Sequence, residues 1–393
     1  MSTLEQFLSG GLPVGTIINA VNSISDAKWL RCDGSDKNRA DYPDLSALFP
    51  ANVFTATART LAATPNNKQA IAADSTYFVA GAAAGAAAMQ YSTDGATWSQ
   101  TSLVTPASTV VNSLIYAGSR FIAGVSGSAQ PLVASNPAST WTVTTGGTTT
   151  TLSQGLAYAS SLAQTLLIPD AAGTSVYTLA DGATAWTAQT VPSTTKYGGC
   201  WTGQKYIVLS SLGLLTSSDG VTWALTYPTS IQQSSFATSS IASDGNGTVV
   251  IFYSSGASAK GSAILVSSDH GATWAQILTP AEFLALFGVL AVTYINGKFF
   301  ITCQNEFILV SDSTGLKWSA EPLGMRGIAK LPVRSIAYKA GVYLALQNGG
   351  NTSALSATEN TAKFRLPASQ LREYVSSSPV MSLSGQEYIK AKK

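Results

Sequence analysis

The sequence predicts an all-β protein whose largest part is a seven-bladed β-propeller. Two features carry this prediction. Tryptophan recurs at intervals of 37 to 51 residues, which bracket the length of a four-stranded propeller blade. Pairs of apolar strands joined by short turns also recur, seven times along the chain. The six regularly spaced tryptophans are Trp98, Trp141, Trp186, Trp223, Trp274 and Trp318.

The strand pairs are rich in β-branched and aromatic residues, and Asn-Gly, Ala-Gly or Thr-Gly turns join several of them. This pattern is typical of β-hairpins. The seventh pair is followed by no tryptophan-led strand, so its blade needs an outer strand from elsewhere. Residues 53–61 are rich in Val, Phe and Thr, and we predict that they close the seventh blade, since closure removes open sheet edges. The seven pairs lie at 71–79, 113–123, 155–168, 199–208, 241–251, 291–301 and 335–344.

A turn sequence with Ser, Asp, Gly and Thr in that order leads into each of these tryptophans. Three copies match the pattern well and the other three are degenerate. Asp accepts hydrogen bonds from nearby backbone N–H groups and Gly tolerates positive φ, so the segment favours a tight turn. The large indole ring is predicted to anchor that turn between neighbouring blades. The predicted structural turn residues are Asp94, Gly95, Trp98, Asp219, Gly220, Trp223, Asp269, Gly271, Trp274, Asp312 and Trp318.

This turn sequence resembles the Asp-box, or BNR, repeat of sialidase-type propellers. The resemblance implies that the turns are structural and lie away from the active face. His270, the chain's one histidine, lies inside one of them. We therefore expect His270 to be an exposed loop residue.

The two ends of the chain carry a different motif. A Pro-x-Gly strand start is followed by a Trp-Leu-x-Cys-Asp-Gly segment and a Tyr-x-x-Leu helix. A Phe-x-Leu-Pro segment follows Phe49 after 314 intervening residues. Together these resemble the phage tail collar domain of tail fibres, although Lys28 stands where that family has Gly before the Trp. From the residues alone, Trp29 and Cys32 belong to a small core and Asp33-Gly34 to a turn. The motif residues are Pro13, Gly15, Trp29, Cys32, Asp33, Gly34, Phe364, Leu366 and Pro367.

The resemblance implies that the propeller is inserted into one small collar domain. Insertion is tolerated where the ends of the inserted domain lie close together, and a propeller closed by its own first strand has such ends. The predicted organisation is an N-terminal attachment segment (1–10), the first part of the collar domain (11–50), the propeller (51–360) and the closing part of the collar domain (361–393).

Composition excludes several classes of function. Charged residues make up only 11% of the chain and the net charge is +2, so electrostatic capture of nucleic acid or of an anionic membrane is not supported. The longest stretch of low polarity, 77–89, is shorter than a membrane span. Cys32, Cys200 and Cys303 have neither disulfide-framework nor metal-ligand spacing. We expect no signal peptide, no cofactor, no metal and synthesis in the reducing cytoplasm of a host cell.

A sialidase is the sharpest enzymatic alternative, and it needs three arginines that clamp a carboxylate. The propeller contains only Arg59, Arg120, Arg326 and Arg334, in sequence surroundings unlike that family's sites. Any other glycosidase needs two carboxylates about 5 to 10 Å apart, and few carboxylates lie outside the predicted turns. We therefore predict a protein that is not an enzyme.

These observations and the resemblance together predict a phage tail fibre or tail-tip protein. Its collar part would attach to other virion proteins and form a homo-oligomer, and its propeller would recognise a host surface glycan or protein receptor. The polar loops at 145–151, 232–238 and 348–353 are the candidate recognition sites, because function concentrates on loops held by a rigid scaffold. The alternatives are a purely structural neck or capsid decoration protein and, third, a sialidase-like glycosidase.

Overall fold

The structure is a computed structural model. It describes residues 17–20, 29–32, 35–47, 53–62, 70–81, 88–102, 110–126, 130–146, 153–169, 173–226, 240–253, 263–277, 289–303, 307–322, 333–347, 353–365 and 386–390.

The N-terminal part of the chain contains three short strands and a single turn of α-helix before the first propeller strand. The elements are β1 (Ile17–Ala20), β2 (Trp29–Arg31), β3 (Asp36–Asn38), a 3₁₀ turn (Arg39–Asp41), α1 (Pro43–Ser46) and β4 (Val53–Thr60).

The next strands form three antiparallel sheets of four strands, which are blades 1 to 3. Blade 1 contains β5 (Ile71–Ala73), β6 (Phe78–Gly81), β7 (Ala88–Ser92) and β8 (Ser99–Ser102). Blade 2 contains β9 (Val110–Ala117), β10 (Arg120–Ser126), β11 (Leu132–Ala134) and β12 (Thr142–Val143). Blade 3 contains β13 (Ser153–Ala159), a 3₁₀ turn (Ser160–Leu162), β14 (Gln164–Pro169), β15 (Gly173–Ala180) and β16 (Thr187–Thr194).

Blades 4 to 6 repeat this arrangement. Blade 4 contains β17 (Lys196–Trp201), β18 (Tyr206–Ser210), β19 (Gly213–Ser217) and β20 (Ala224–Thr226). Blade 5 contains β21 (Ser240–Ser243), β22 (Val249–Tyr253), β23 (Ala263–Ser267) and β24 (Ala275–Ile277). Blade 6 contains β25 (Val289–Ile295), β26 (Lys298–Cys303), β27 (Phe307–Ser311) and β28 (Trp318–Pro322).

Blade 7 combines strands from both ends of the propeller, so the predicted closing strand is confirmed. It contains β29 (Val333–Lys339), β30 (Val342–Gln347) and β31 (Ser353–Asn360), and β4 is its outer strand. The pairing of β31 with β4 runs without interruption over eight residues, from Ser353 opposite Thr60 to Asn360 opposite Val53. The first strands of the seven blades contact one another in a closed ring. The protein is therefore an all-β, seven-bladed propeller.

Apolar packing between blades holds the ring together. The second strands of the blades and most of the third strands are buried on both faces: all five residues of β18 (Tyr206–Ser210) are buried, as are all five of β23 (Ala263–Ser267). The third strand of blade 3, β15 (Gly173–Ala180), is the more exposed exception. Seven clusters of buried apolar residues lie between successive blades, and the cluster of Phe78, Trp98 and Leu344 joins blade 7 back to blade 1. Each blade thus depends on both neighbours for its core.

The propeller has two distinct faces because its strands are antiparallel. The turns between first and second strands and between third and fourth strands lie on one face, which we call the hairpin face. The connections between second and third strands and between blades lie on the other, which we call the loop face. The three polar loops predicted as recognition sites all connect strand ends on the loop face; apart from Thr145, Gly146 and Ser353 they lie outside the described residues.

The segments before and after the propeller form a separate small unit. β33 (Gln386–Lys390) lies between β1 and β2 in one sheet, and β32 (Lys363–Arg365) pairs with β3. Because β31 ends at Asn360 and β4 begins at Val53, this terminal unit occupies the place of the turn between the third and fourth strands of blade 7. It therefore joins the propeller on the hairpin face.

Candidate functional site

The aspartate turns are built by one carboxylate oxygen. In blade 4, Asp219 Oδ1 accepts hydrogen bonds from the backbone N–H groups of Val221 and Thr222, both at 2.8 Å. The Ser217 hydroxyl donates to the same oxygen at 2.9 Å and accepts the N–H of Gly220 at 2.8 Å. These bonds lower the pKa of Asp219 to about 2, so the carboxylate is committed to the turn.

The same network recurs around Asp94 in blade 1 and Asp269 in blade 5. In blade 6, Asp312 Oδ1 accepts the backbone N–H groups of Thr314 and Leu316, so the turn extends further along the chain. The tryptophans that follow these turns pack against the preceding blade. Trp98 lies against blade 7, Trp274 against blade 4 and Trp318 against blade 5. The aspartate turns therefore have geometry suited to scaffolding.

His270 does not fit the prediction of an exposed loop residue. Its ring is half-buried, and its Nδ1 lies 2.9 Å from the backbone oxygen of Thr202. Its backbone N–H donates to the carbonyl of Gly247 at 2.9 Å. His270 is the extra residue in the turn of blade 5. It reaches blade 4, and this contact between blades partly buries it.

Three described residues of the terminal motif form one small core. Cys32, Leu45 and Phe364 are buried together, with Leu30 and Tyr42 packed against them. Trp29 is also buried. Pro13, Gly15, Asp33, Gly34, Leu366 and Pro367 lie outside the described residues.

The structure separates the two propeller arginines whose side chains it describes. Arg59 lies on the outer strand of blade 7, where its Nε donates to the Ser356 hydroxyl at 2.7 Å. Arg120 lies in blade 2 and donates to the carbonyls of Ala180 and Ala183 in blade 3. Each therefore belongs to a different contact within the scaffold.

The candidate functional site is a cavity of about 410 Å³ at the hairpin end of the central channel. It lies on the face that carries the aspartate turns and opposite the three polar loops, which differs from the expectation that the turns lie away from the active face. The first strands of blades 3, 4, 5 and 6 line it. Aromatic side chains form part of its wall, and hydroxyl groups and one carboxylate add hydrogen-bonding capacity. The residues that define its chemistry are Tyr158, Trp201, Ser243, Asp244, Thr293 and Tyr294.

The aromatic walls are fixed by packing. The Trp201 and Tyr206 rings meet edge to face with centroids 4.8 Å apart. The ring centroids of Tyr294 and Phe299 are also 4.8 Å apart. The hydroxyl of Tyr158 donates to Asp181 Oδ2 at 2.8 Å. Such contacts hold the rings in place before any ligand arrives, which lowers the entropy lost on binding.

One carboxylate sets the electrostatics of the cavity. Asp244 Oδ1 accepts the backbone N–H groups of Asn246 and Thr248 at 2.8 and 2.9 Å. Burial, and then the charge of Asp244, raise the pKa of the Tyr294 hydroxyl and of the Cys200 thiol. Both groups therefore stay protonated near neutral pH, so Cys200 is not an activated nucleophile.

Sequence reasoning missed this cavity because its walls come from four blades. Alignment of the repeats contains one signal for it. Blade 5 has two polar residues, Ser243-Asp244, where blade 6 has the aromatic and apolar pair Tyr294-Ile295. Among the described residues no group of three or more His, Cys, Asp or Glu side chains is arranged to hold a metal ion. Within the same ranges no helix is long and apolar enough to cross a membrane.

No family model matches the sequence, and no curated protein sequence matches it. Solved structures are similar to it in fold. YCF48 bound to D1 peptide has a TM-score of 0.59 and 16% identity, covering 79% of this chain and 100% of that chain. YCF48 from Cyanidioschyzon merolae has a TM-score of 0.55 and 13% identity, covering 77% of this chain and 98% of that chain.

Virginiamycin B lyase from Staphylococcus aureus is also similar, with a TM-score of 0.61 and 9% identity over 78% of this chain and 100% of that chain. These propellers differ in function from one another, and a fold of this kind hosts many functions. At identities this low the likeness establishes the propeller fold alone.

Proposed function

We propose that the chain is an attachment protein of a bacteriophage particle, located in the tail. The terminal unit joins it to other virion proteins and to copies of itself, and the propeller recognises the host cell surface. In this proposal the protein is a binding module and not an enzyme.

The observation that carries the proposal is the core of the terminal unit. The resemblance to tail collar domains depends on motif residues near both ends of the chain. Cys32 and Leu45 pack against Phe364, and Lys37 in β3 lies opposite Phe364 in β32. Residues that share a motif across more than 300 positions thus share one core, as a domain split by an insertion requires.

The propeller supplies what a recognition module needs. Its blades form a rigid ring, and its channel mouth combines aromatic surface with unused hydrogen-bonding groups. Pockets with a few polar groups among aromatic walls are typical of small-ligand sites. We therefore favour a host glycan over a protein as the receptor.

The test is binding of the purified, labelled protein to bacteria that the phage infects, combined with competition against phage adsorption. Saturable binding that blocks adsorption is the expected result. Absence of saturable binding from correctly assembled protein contradicts the receptor role and favours a purely structural virion protein. Release of sialic acid from cell-surface glycans would instead favour the glycosidase alternative.

A further inference from the structure

One position near the hairpin end of each first strand repeats around the channel and faces the preceding blade. In five blades it holds an aromatic residue, and its partner on the second strand is usually aromatic too. Blade 1 and blade 5 depart from this pattern. From blade 1 to blade 7 the residues are Ala73, Tyr116, Tyr158, Trp201, Ser243, Tyr294 and Tyr338.

Ser243 leaves a gap in this ring of side chains. It lies between Trp201 in blade 4 and Tyr294 in blade 6, and all three residues line the cavity at the channel mouth. Because a serine replaces a ring, no aromatic side chain of blade 5 enters the lining of the cavity. The cavity therefore coincides with one of the two departures from the repeat.

Several polar groups that line the gap have capacity to spare. Asp244 uses Oδ1 for the turn, and within the described residues Oδ2 has no hydrogen-bond partner. In the same part of the chain, the indole N–H of Trp201 and the hydroxyl of Tyr294 have none either. The gap thus offers two donors and a charged acceptor beside two aromatic rings.

We propose that this gap binds one neutral sugar unit of a surface glycan, which names the ligand class of the recognition function proposed above and rests on it. A pyranose ring packs its apolar C–H face against the half-buried Tyr294 ring and the small part of Trp201, 8% exposed, that borders the cavity, and one of its hydroxyl groups donates a hydrogen bond to Asp244. The cavity volume of about 410 Å³ lies within the range of small-ligand pockets. The lining contains a carboxylate and no Lys, Arg or His, so an acidic sugar is disfavoured.

The terminal unit and this site involve different blades of the ring. The unit joins at blade 7, whereas the cavity is lined by blades 3 to 6.

The experiment uses the full chain and saturation-transfer NMR with glucose, galactose and N-acetylglucosamine, with N-acetylneuraminic acid as the acidic comparison. Ser243→Tyr fills the gap with the ring that four other blades carry, and Ala73→Tyr is its matched control in blade 1. Asp244→Asn removes the charge but retains an acceptor for the turn, and Asp74→Asn is the control, because Asp74 accepts the N–H groups of Thr76 and Tyr77 in the same way.

We expect transfer to at least one neutral sugar and none to the acidic one. Affinity should fall about tenfold or more in Ser243→Tyr and severalfold in Asp244→Asn, and stay unchanged in both controls. The proposal is overturned if no neutral sugar binds the wild-type protein, or if both gap variants bind as wild type does. If Ser243→Tyr does not fold, Asp244→Asn against Asp74→Asn decides.

The same variants in the bacterial binding assay separate this inference from the function it rests on. If the wild-type protein and the gap variants adsorb equally well to bacteria, the gap is not the sugar site and the attachment function stands. If the wild-type protein does not adsorb at all, the attachment function fails irrespective of sugar binding.

Discussion

In each aspartate turn one carboxylate oxygen accepts the backbone N–H groups, and the chemistry is local to a few residues. In blade 4 the side chain of Asp219 is exposed to solvent, yet its Oδ1 accepts two backbone N–H groups and one hydroxyl. All partners lie within three residues along the chain. For this reason the turns could be predicted from the sequence, since the spacing of Ser, Asp and Gly already contains the geometry.

Substitution of Asp219 by Ala should destabilise the propeller by about 1 kcal/mol, because a net hydrogen bond contributes roughly 0.5 to 1.5 kcal/mol and water replaces part of the loss at this exposed site. Urea denaturation at about pH 7 measures the difference. The turn lowers the pKa of Asp219 to about 2 in the folded protein. The carboxylate therefore contributes its full share of the free energy of unfolding above about pH 4, the pKa of Asp in the unfolded chain, and this share declines as the pH falls towards 2.

The control is Asp219→Asn, which retains an oxygen for the turn and cannot titrate. The difference in free energy of unfolding between the wild-type protein and Asp219→Ala should decrease in acid. The difference between Asp219→Asn and Asp219→Ala should stay the same. A pH-independent difference for both pairs would show that the carboxylate charge does not stabilise the turn.

At the scale of elements, the closing strand shows what repeats can reveal. Seven strand pairs with six tryptophan-led strands leave one strand to be supplied by residues 53–61, and β4 (Val53–Thr60) occupies that place. The cavity could not be predicted in the same way. It exists because Ser243, Trp201 and Tyr294 meet across three blades, and this meeting depends on how the ring closes.

An engineered disulfide tests the register of the closure. Ala56 lies opposite Ala357 in the pairing of β4 with β31, so cysteines at both positions should cross-link when the folded protein is oxidised. The bond encloses almost the whole propeller and should stabilise it by about 2 to 4 kcal/mol. Non-reducing electrophoresis after proteolysis detects the link, and denaturation measures the gain.

The matched control pairs Ala56→Cys with Ala354→Cys. Ala354 lies opposite Arg59, three positions away and on the other face of the strand, so this pair should stay reduced. Equal cross-linking of both pairs would indicate that β4 slides along β31 and does not hold one register.

At the scale of the whole molecule, the terminal unit and the propeller are joined at one point. Asn360 and Val53 are direct partners at the hairpin end of blade 7, and the terminal unit stands where a turn stands in the other blades. Strands from the two ends of the chain pair in one unit, which agrees with motif residues at both ends, and the assignment of that unit to a collar domain stays a prediction. The face on which the unit emerges could not be predicted, because it follows from the direction of β31 in the folded blade.

Because the terminal unit is joined to the propeller at one point, we predict that the propeller folds without it. A chain of residues 53–360 retains every blade strand, all seven inter-blade cores and both partners of the closing pair. We expect its β-sheet circular dichroism and its main thermal transition to match those of the full chain, because the small core of Cys32, Leu45 and Phe364 contributes no residue to the inter-blade clusters. The full chain should show the same main transition and, in addition, the unfolding of its terminal unit. A truncated chain that is unfolded or melts far below the full chain would mean that the ring of blades depends on the terminal unit for closure, so that the propeller and the terminal unit are not independent folding units.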